Sequence, residues 1–154
     1  MNNYLIIASD LPALEGPSMK ARDVFDLMHR NSCWEFPERS GQAKLKAGDR
    51  LVFYLGSKVR AVVAEATVAG PALPINKESP VTFDRHRFPF FRWRMPLEDF
   101  RLYPSERADL DLIMELSFAR TSTVTRPYVG LLLRVGMRTL TDADVELIRD
   151  RAGV

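Results

Sequence analysis

Lys46-Ala47-Gly48-Asp49-Arg50-Leu51-Val52-Phe53-Tyr54-Leu55-Gly56-Ser57 decides how this chain folds. Gly48-Asp49 turns the backbone. Leu51 to Leu55 is an unbroken run of aliphatic, β-branched and aromatic residues, the composition of a buried strand. Successive strand side chains point to opposite faces, so Tyr54 lies across the sheet from Phe53 and Leu55. Gly56-Ser57 predicts a two-residue hairpin turn with glycine first, and a long return strand follows from Lys58 to Ala69.

Upstream, Tyr4 to Ala8 predicts a strand buried on both faces and ending at Ser9-Asp10. Ser18 is the expected N-cap of a helix whose apolar positions are Ala21, Val24, Phe25 and Met28, with its exit at Asn31. A polar loop, Glu35 to Lys46, follows Cys33-Trp34. Downstream, the prolines between Gly70 and Pro80 mark a surface loop. Val81 to Tyr103 reads as extended, with Phe90, Phe91 and Trp93 interleaved with Arg92 and Arg94. Ser105 is the expected cap of a helix through Leu110, Ile113, Met114 and Phe118. Tyr128 to Leu133 fits a short strand or a buried helical turn equally well. Arg138 to Leu140 is a last strand, and Thr141 caps a final helix that buries Val145 and Ile148 and ends at Gly153. This order predicts an α+β fold: a closed or nearly closed antiparallel barrel with helices packed outside it.

The 154 residues, 46% of them hydrophobic, form one domain spanning 1–154 with enough apolar surface to exclude disorder as the main state. No stretch approaches the ~20 apolar residues of a membrane span. The first residues lack the basic and apolar segments of a secretory leader, so a cytoplasmic setting is expected. Cys33 is the only cysteine, which excludes an internal disulfide. His29 and His86 are the only histidines, and no metal-ligand spacing is present, so neither metal nor cofactor is expected. Motifs for dinucleotide binding, phosphate cradling and a nucleophilic serine elbow are absent. His29 and Cys33 are spaced for one helix face, but Asn31 and Trp34 end the helix, so Cys33 reads as a small buried apolar group. Asp109, Asp111 and Glu115 read as a solvated helix face. The chain is therefore expected to bind rather than catalyse.

Net charge is +2, but it is unevenly distributed. All twelve basic residues of 78–154 are arginine, and no acid lies between Ser117 and Thr141, where Arg120, Arg126, Arg134 and Arg138 stand. Arginine forks onto phosphate. A biased codon usage explains the arginines equally well, so the stretch is compatible with nucleic acid without demanding it. Trp34 sits in a polar stretch, where it either plugs a barrel end or offers its ring to a ligand. Phe88 and Phe90 flank Pro89 at a rim position suited to stacking on a flat ring.

Three segments together resemble an EVE domain. They are Tyr4-Leu5-Ile6-Ile7-Ala8-Ser9-Asp10, the amphipathic helix ending near Cys33-Trp34, and the Gly-Asp-x-x-x-Phe-Tyr run from Gly48 to Tyr54. The close, Gly136 to Val145, is similar as well. The resemblance implies a PUA-like pseudobarrel related to YTH domains, which hold methylated adenine in an aromatic cage. Bacterial EVE modules are associated with modified DNA bases, and some are fused to restriction nucleases. By resemblance, Ser9 and Asp10 line the pocket, Trp34 is the first cage wall, and Phe88 or Phe90 stands for another. That loop lacks the family's tryptophan. Tyr54 completes the candidate base-binding set, and Arg126 with Arg120 are the candidate phosphate contacts. The expected partner is DNA or RNA carrying methylated or hydroxymethylated cytosine or methylated adenine, with a separate nuclease or other effector. Two alternatives stay open: a nucleotide sensor or enzyme in the same pocket, with Asp10 as acid/base, and a protein-interaction module.

Overall fold

The computed structural model describes residues 1–37, 41–134 and 136–154; residues 38–40 of the expected polar loop lie outside the described residues. Among these the chain runs β1 (Asn3–Ala8), α1 (Ala21–Arg30), β2 (Cys33–Phe36), β3 (Arg50–Leu55), β4 (Ala61–Val68), β5 (Leu73–Pro74) and β6 (Trp93–Leu102). It continues through α2 (Leu110–Ile113), α3 (Ser117–Arg120), β7 (Met137–Leu140) and α4 (Asp142–Ala152), with 3-10 turns at Gly41–Lys44 and Arg126–Leu133. The strands form one sheet in the order β2-β6-β4-β3-β1-β7, with β5 added on β6, and it curls into a half-barrel.

One pairing corrects the expectation of a purely antiparallel barrel. β1 and β3 run parallel, from Asn3 opposite Arg50 to Ala8 opposite Leu55. Parallel neighbours need a crossover, which α1 and β2 supply. The sheet is therefore mixed and stays open, with β2 and β7 at its two ends.

Alternation along β1 and β3 divides the interior. Tyr4, Ile6 and Ala8 join Leu51, Phe53 and Leu55 in an inner core with Val24, Phe25 and Met28 of α1, Trp34 and Phe36 of β2, and Met95 of β6. Leu5, Val52 and Tyr54 face the other way, into an outer core with Leu112, Ile113, Val129, Leu133, Val145 and Ile148. Each fully buried Leu, Ile or Phe stabilises the fold by about 1.5–3 kcal/mol. A strand covered on both faces must be apolar at every position, which is why β1 reads as a continuous run.

Several local expectations give way to longer-range bonds. Gly56-Ser57 is not a two-residue turn: Gly56 opens a longer one over residues 56–59, and its amide donates to the Ala8 carbonyl at 2.8 Å, extending the pairing with β1. The connection to β4 then takes residues 56–60, with Ser57 and Arg60 in the left-handed region at φ 59° and 52°. Ser18 does not cap α1. Leu11 and Met19 exchange backbone hydrogen bonds of 2.7 and 2.8 Å, closing a loop that brings the Asp10 carboxylate to the Ala21 amide at 2.9 Å.

Only Trp93–Leu102 of the expected extended segment is strand. The helix expected from Ser105 is two one-turn helices. Asp109 caps α2, and the Asp144 carboxylate accepts from the Ser117 amide at the start of α3 at 3.0 Å. Ser105 donates instead to the Ala152 carbonyl at 3.0 Å. The Tyr128–Leu133 stretch is helical, a 3-10 turn. α4 begins as expected, with Thr141 and Asp144 in a reciprocal capping box. It is pinned to the sheet by Arg149, whose guanidinium donates to both Glu65 oxygens at 2.8 and 2.6 Å.

Candidate functional site

Ser9 and Asp10 leave the sheet at the C-terminal end of β1, and clefts open on both sides of that point. The inner one, about 180 Å³, is bordered by Ser9, Asp10, Val24, Trp34, Gln42 and Phe91. Trp34 reaches it from β2, not from a loop. The partner strand is β6, where Met95 lies opposite Trp34. The indole is 5% exposed, packs on Phe53 with ring centres 5.3 Å apart, and donates its N–H to the Gln42 side-chain oxygen at 2.7 Å. Its orientation is thus set by an aromatic contact and a hydrogen bond.

Asp10 is a fixed anion. One oxygen accepts from the Ala21 amide, the other from the Ser57 hydroxyl at 3.2 Å, with the Lys20 ammonium at 3.7 Å. The Ala21 amide above all, helped by Ser57 and Lys20 against a smaller burial effect, holds the carboxyl below its ordinary range. A carboxylate so engaged is a hydrogen-bond acceptor at neutral pH.

Sequence reasoning missed Glu35. Its carboxylate is completely buried between two arginines, with Arg85 at 3.0 and 3.3 Å and Arg94 at 3.3 Å. Arg94 also donates to the Thr82 hydroxyl. The cluster ties the segment after Pro80 to the strand that carries Trp34. A glutamate set inside the apolar run Cys33-Trp34-Glu35-Phe36 was the available signal.

The remaining candidates are not all brought to the Trp34 cleft. Phe88 is 1% exposed, packs edge-on against Phe83 and borders a different surface groove with Pro17 and Asp23. Phe90 packs at the edge of the inner core and borders neither cleft at the β1 end. Phe91 stands in the wall instead. The cause is a turn: the Phe88 amide bonds back to the Asp84 carbonyl at 2.8 Å, so this segment lacks the side-chain alternation of a strand. Tyr54 is on the outer face and cannot share a cage with Trp34. It borders the outer cleft, about 380 Å³, together with Ile7, Ser9, Arg60, Arg126 and Arg134. Burial pushes its phenol up to about 12, against the opposing pull of Arg60 and Arg126. Arg126 pairs with Asp111 at 2.6 Å at the rim, whereas Arg120 is exposed on α3 and borders neither cleft.

Cys33 is buried against the Thr82 hydroxyl at 3.8 Å, and burial raises its thiol pKa, opposed chiefly by Arg94. His29 packs at a tilt against Phe100, with ring centres 4.6 Å apart and planes at 46°. The two make no nucleophile–base pair. Among the described residues no three His, Cys, Asp or Glu side chains gather as metal ligands, and no helix is long and apolar enough to cross a membrane.

No family model matches the sequence, and no curated protein matches it significantly. Solved structures do match. Rpa0253 from Rhodopseudomonas palustris superposes with a TM-score of 0.60 at 13% identity, over 99% of this chain and 94% of its own. Human THYN1 protein in complex with 5-methylcytosine-containing DNA gives 0.60 at 15% identity, over 100% and 99%. The DUF55 domain of human thymocyte nuclear protein 1 gives 0.59 at 17%, over 99% of both chains. The likeness runs the length of the chain and is one of fold.

Proposed function

We propose that this chain is a non-catalytic binding module that takes a modified base of DNA into the cleft beside Trp34. The observation that carries the reading is the meeting of Ser9, Asp10 and Trp34 on one cavity at the end of β1. Support also comes from the shared fold with human THYN1 protein, whose structure holds 5-methylcytosine-containing DNA.

The physics is consistent. A base read on all its edges must leave the stack, at a cost of a few kcal/mol. Stacking on an aromatic ring recovers about 1–3 kcal/mol per base, and burying an added methyl group about 0.8 kcal/mol. The inner cleft has a volume of about 180 Å³ and a wall that carries Trp34 and Phe91, a setting for one planar ring. The Ser9 hydroxyl and the Asp10 carboxylate supply polar groups for the base edge. Arg126, with Arg120 farther out, supplies phosphate contacts and hence salt dependence. Cys33 is buried and its thiol pKa is raised, which disfavours nucleophilic attack. The Asp10 carboxylate is engaged at both oxygens, by the Ala21 amide at the start of α1 and by the Ser57 hydroxyl. Action on the mark would then fall to a separate effector, such as a nuclease.

The test is equilibrium binding to otherwise identical DNA carrying 5-methylcytosine, 5-hydroxymethylcytosine, methylated adenine or no modification. At least one modified form should bind more tightly than the unmodified DNA. Equal affinity for all four contradicts the proposal.

A further inference from the structure

We propose that the outer cleft is a second binding site, for a nucleoside monophosphate unit, with Tyr54 and Arg134 as its principal polar contacts. Its floor carries an unspent group. Tyr54 is 3% exposed, yet among the described residues its hydroxyl has no hydrogen-bond partner. The hydroxyl itself opens onto the cleft, since Asn3 Oδ1 is the one fully buried polar side-chain atom without a partner among the described residues. It is therefore available to donate to an acceptor on a ligand.

The rim carries unspent charge. Arg134 is exposed and makes no side-chain hydrogen bond or ion pair among the described residues. Arg60 uses only its Nε, on the Ser57 carbonyl at 2.9 Å, and Arg126 uses only its Nε, on Asp111. The forked ends of all three guanidiniums remain for an anion. Asp109 also stands near Tyr54, but one of its oxygens is engaged by the Asp111 and Leu112 amides at 3.0 and 3.4 Å.

The walls are apolar: Ile7, Leu110, Pro127, Val129 and Leu133. A volume of about 380 Å³ is in the usual range of small-ligand sites. An anion-binding rim, a hydroxyl on the floor and apolar walls together match a ring bearing one phosphate. Two sources can provide it. Ile7 and Ser9 border both clefts, so the unit can be the nucleotide next to the base held beside Trp34, and that source rests on the proposed function. The other source is a free nucleotide.

Two probes separate the sources: free deoxycytidine monophosphate, followed by backbone amide shifts, and short single DNA strands with and without one 5-methylcytosine, followed by fluorescence anisotropy. Tyr54→Phe should weaken binding about twofold to tenfold, the loss of one hydrogen bond. Arg134→Gln should weaken strand binding about fivefold and lower the salt slope by about one contact. Both losses should be equal on methylated and unmethylated strands. Amide shifts at Ser9, Ser57 and Val129 with the free nucleotide assign the site to that source as well. Losses confined to the strands assign it to the polymer. If the strands are bound without regard to methylation but still depend on Tyr54 and Arg134, the second site stands and the reading of the Trp34 cleft fails. Unchanged binding of both probes in both variants overturns the proposal.

Discussion

Replacing Glu35 is the sharpest structural perturbation available near the candidate site. In Glu35→Gln the carboxylate charge between Arg85 and Arg94 disappears while the side-chain volume stays. The carboxylate is 0% exposed, whereas the two guanidiniums are 30% and 18% exposed. Breaking a fully buried ion pair by removing one partner costs about 3–5 kcal/mol. Here the orphaned arginines keep some access to water, and Arg94 keeps Thr82 and the Asn31 carbonyl at 3.3 Å. The expected loss is therefore at the lower end, about 3 kcal/mol. For a domain of this size that lowers the melting temperature by roughly 6–12 °C. Urea unfolding followed by circular dichroism measures the free energy, and a thermal scan checks the shift. The same substitution in an Arg85→Gln background should cost less, because part of the interaction is already gone. A loss under about 1 kcal/mol in the wild-type background would refute the reasoning, since a surface pair of no consequence gives that result.

Other expectations are independent of it. Asp10 is held below its ordinary range by the Ala21 amide; Glu65 is also lowered, burial being outweighed by Arg149, Tyr103 and Arg50. Groups with depressed folded values stabilise the fold above their unfolded pKa and lose that contribution as pH falls through the folded one. The urea midpoint should therefore hold from neutrality to about pH 5 and drop toward pH 3; a midpoint flat over that range contradicts both assignments. Tyr54 behaves oppositely, since its folded pKa is raised from 10.0 to about 12. Its phenolate absorbance should emerge late, and stability should decline between those two values; Tyr54→Phe should remove that part of the decline. The Cys33 thiol should resist a disulfide exchange reagent in the native protein at neutral pH and react once urea unfolds the chain. Fast native reaction would contradict its burial.

What could be read from the chain alone follows the range of the interactions concerned. Alternation in β1 and β3 is local, so the opposed placement of Phe53 and Tyr54 could be derived. The same rule shows why Tyr54 and Trp34 do not share a cage. Thr141 and Asp144 form a cap within one turn, and that helix start was legible too. Failures cluster where partners are distant. Trp34 is a strand residue only because β6 supplies its ladder, and Glu35 meets Arg94 from 59 residues away. Resemblance alone points to Asp10 as a pocket residue; its bond to the first amide of α1 depends on a loop closed by Leu11 and Met19. Reading Phe88 and Phe90 as rim residues assumed an extended backbone, and the turn at Asp84 put Phe91 in the cleft instead. The parallel pairing of β1 with β3 is a crossover property that no local pattern encodes.

The central claim is that the cleft beside Trp34 reads the base, and one measurement tests it most directly. The dissociation constants of two DNA duplexes differing only by the 5-methyl group of one cytosine are compared for the wild-type chain and for Trp34→Ala, with folding of the variant verified by circular dichroism. The account predicts a methyl preference of about fourfold in the wild type, the worth of one buried methyl group, and a ratio near one in Trp34→Ala. A methyl preference that survives intact in a folded Trp34→Ala protein would contradict it.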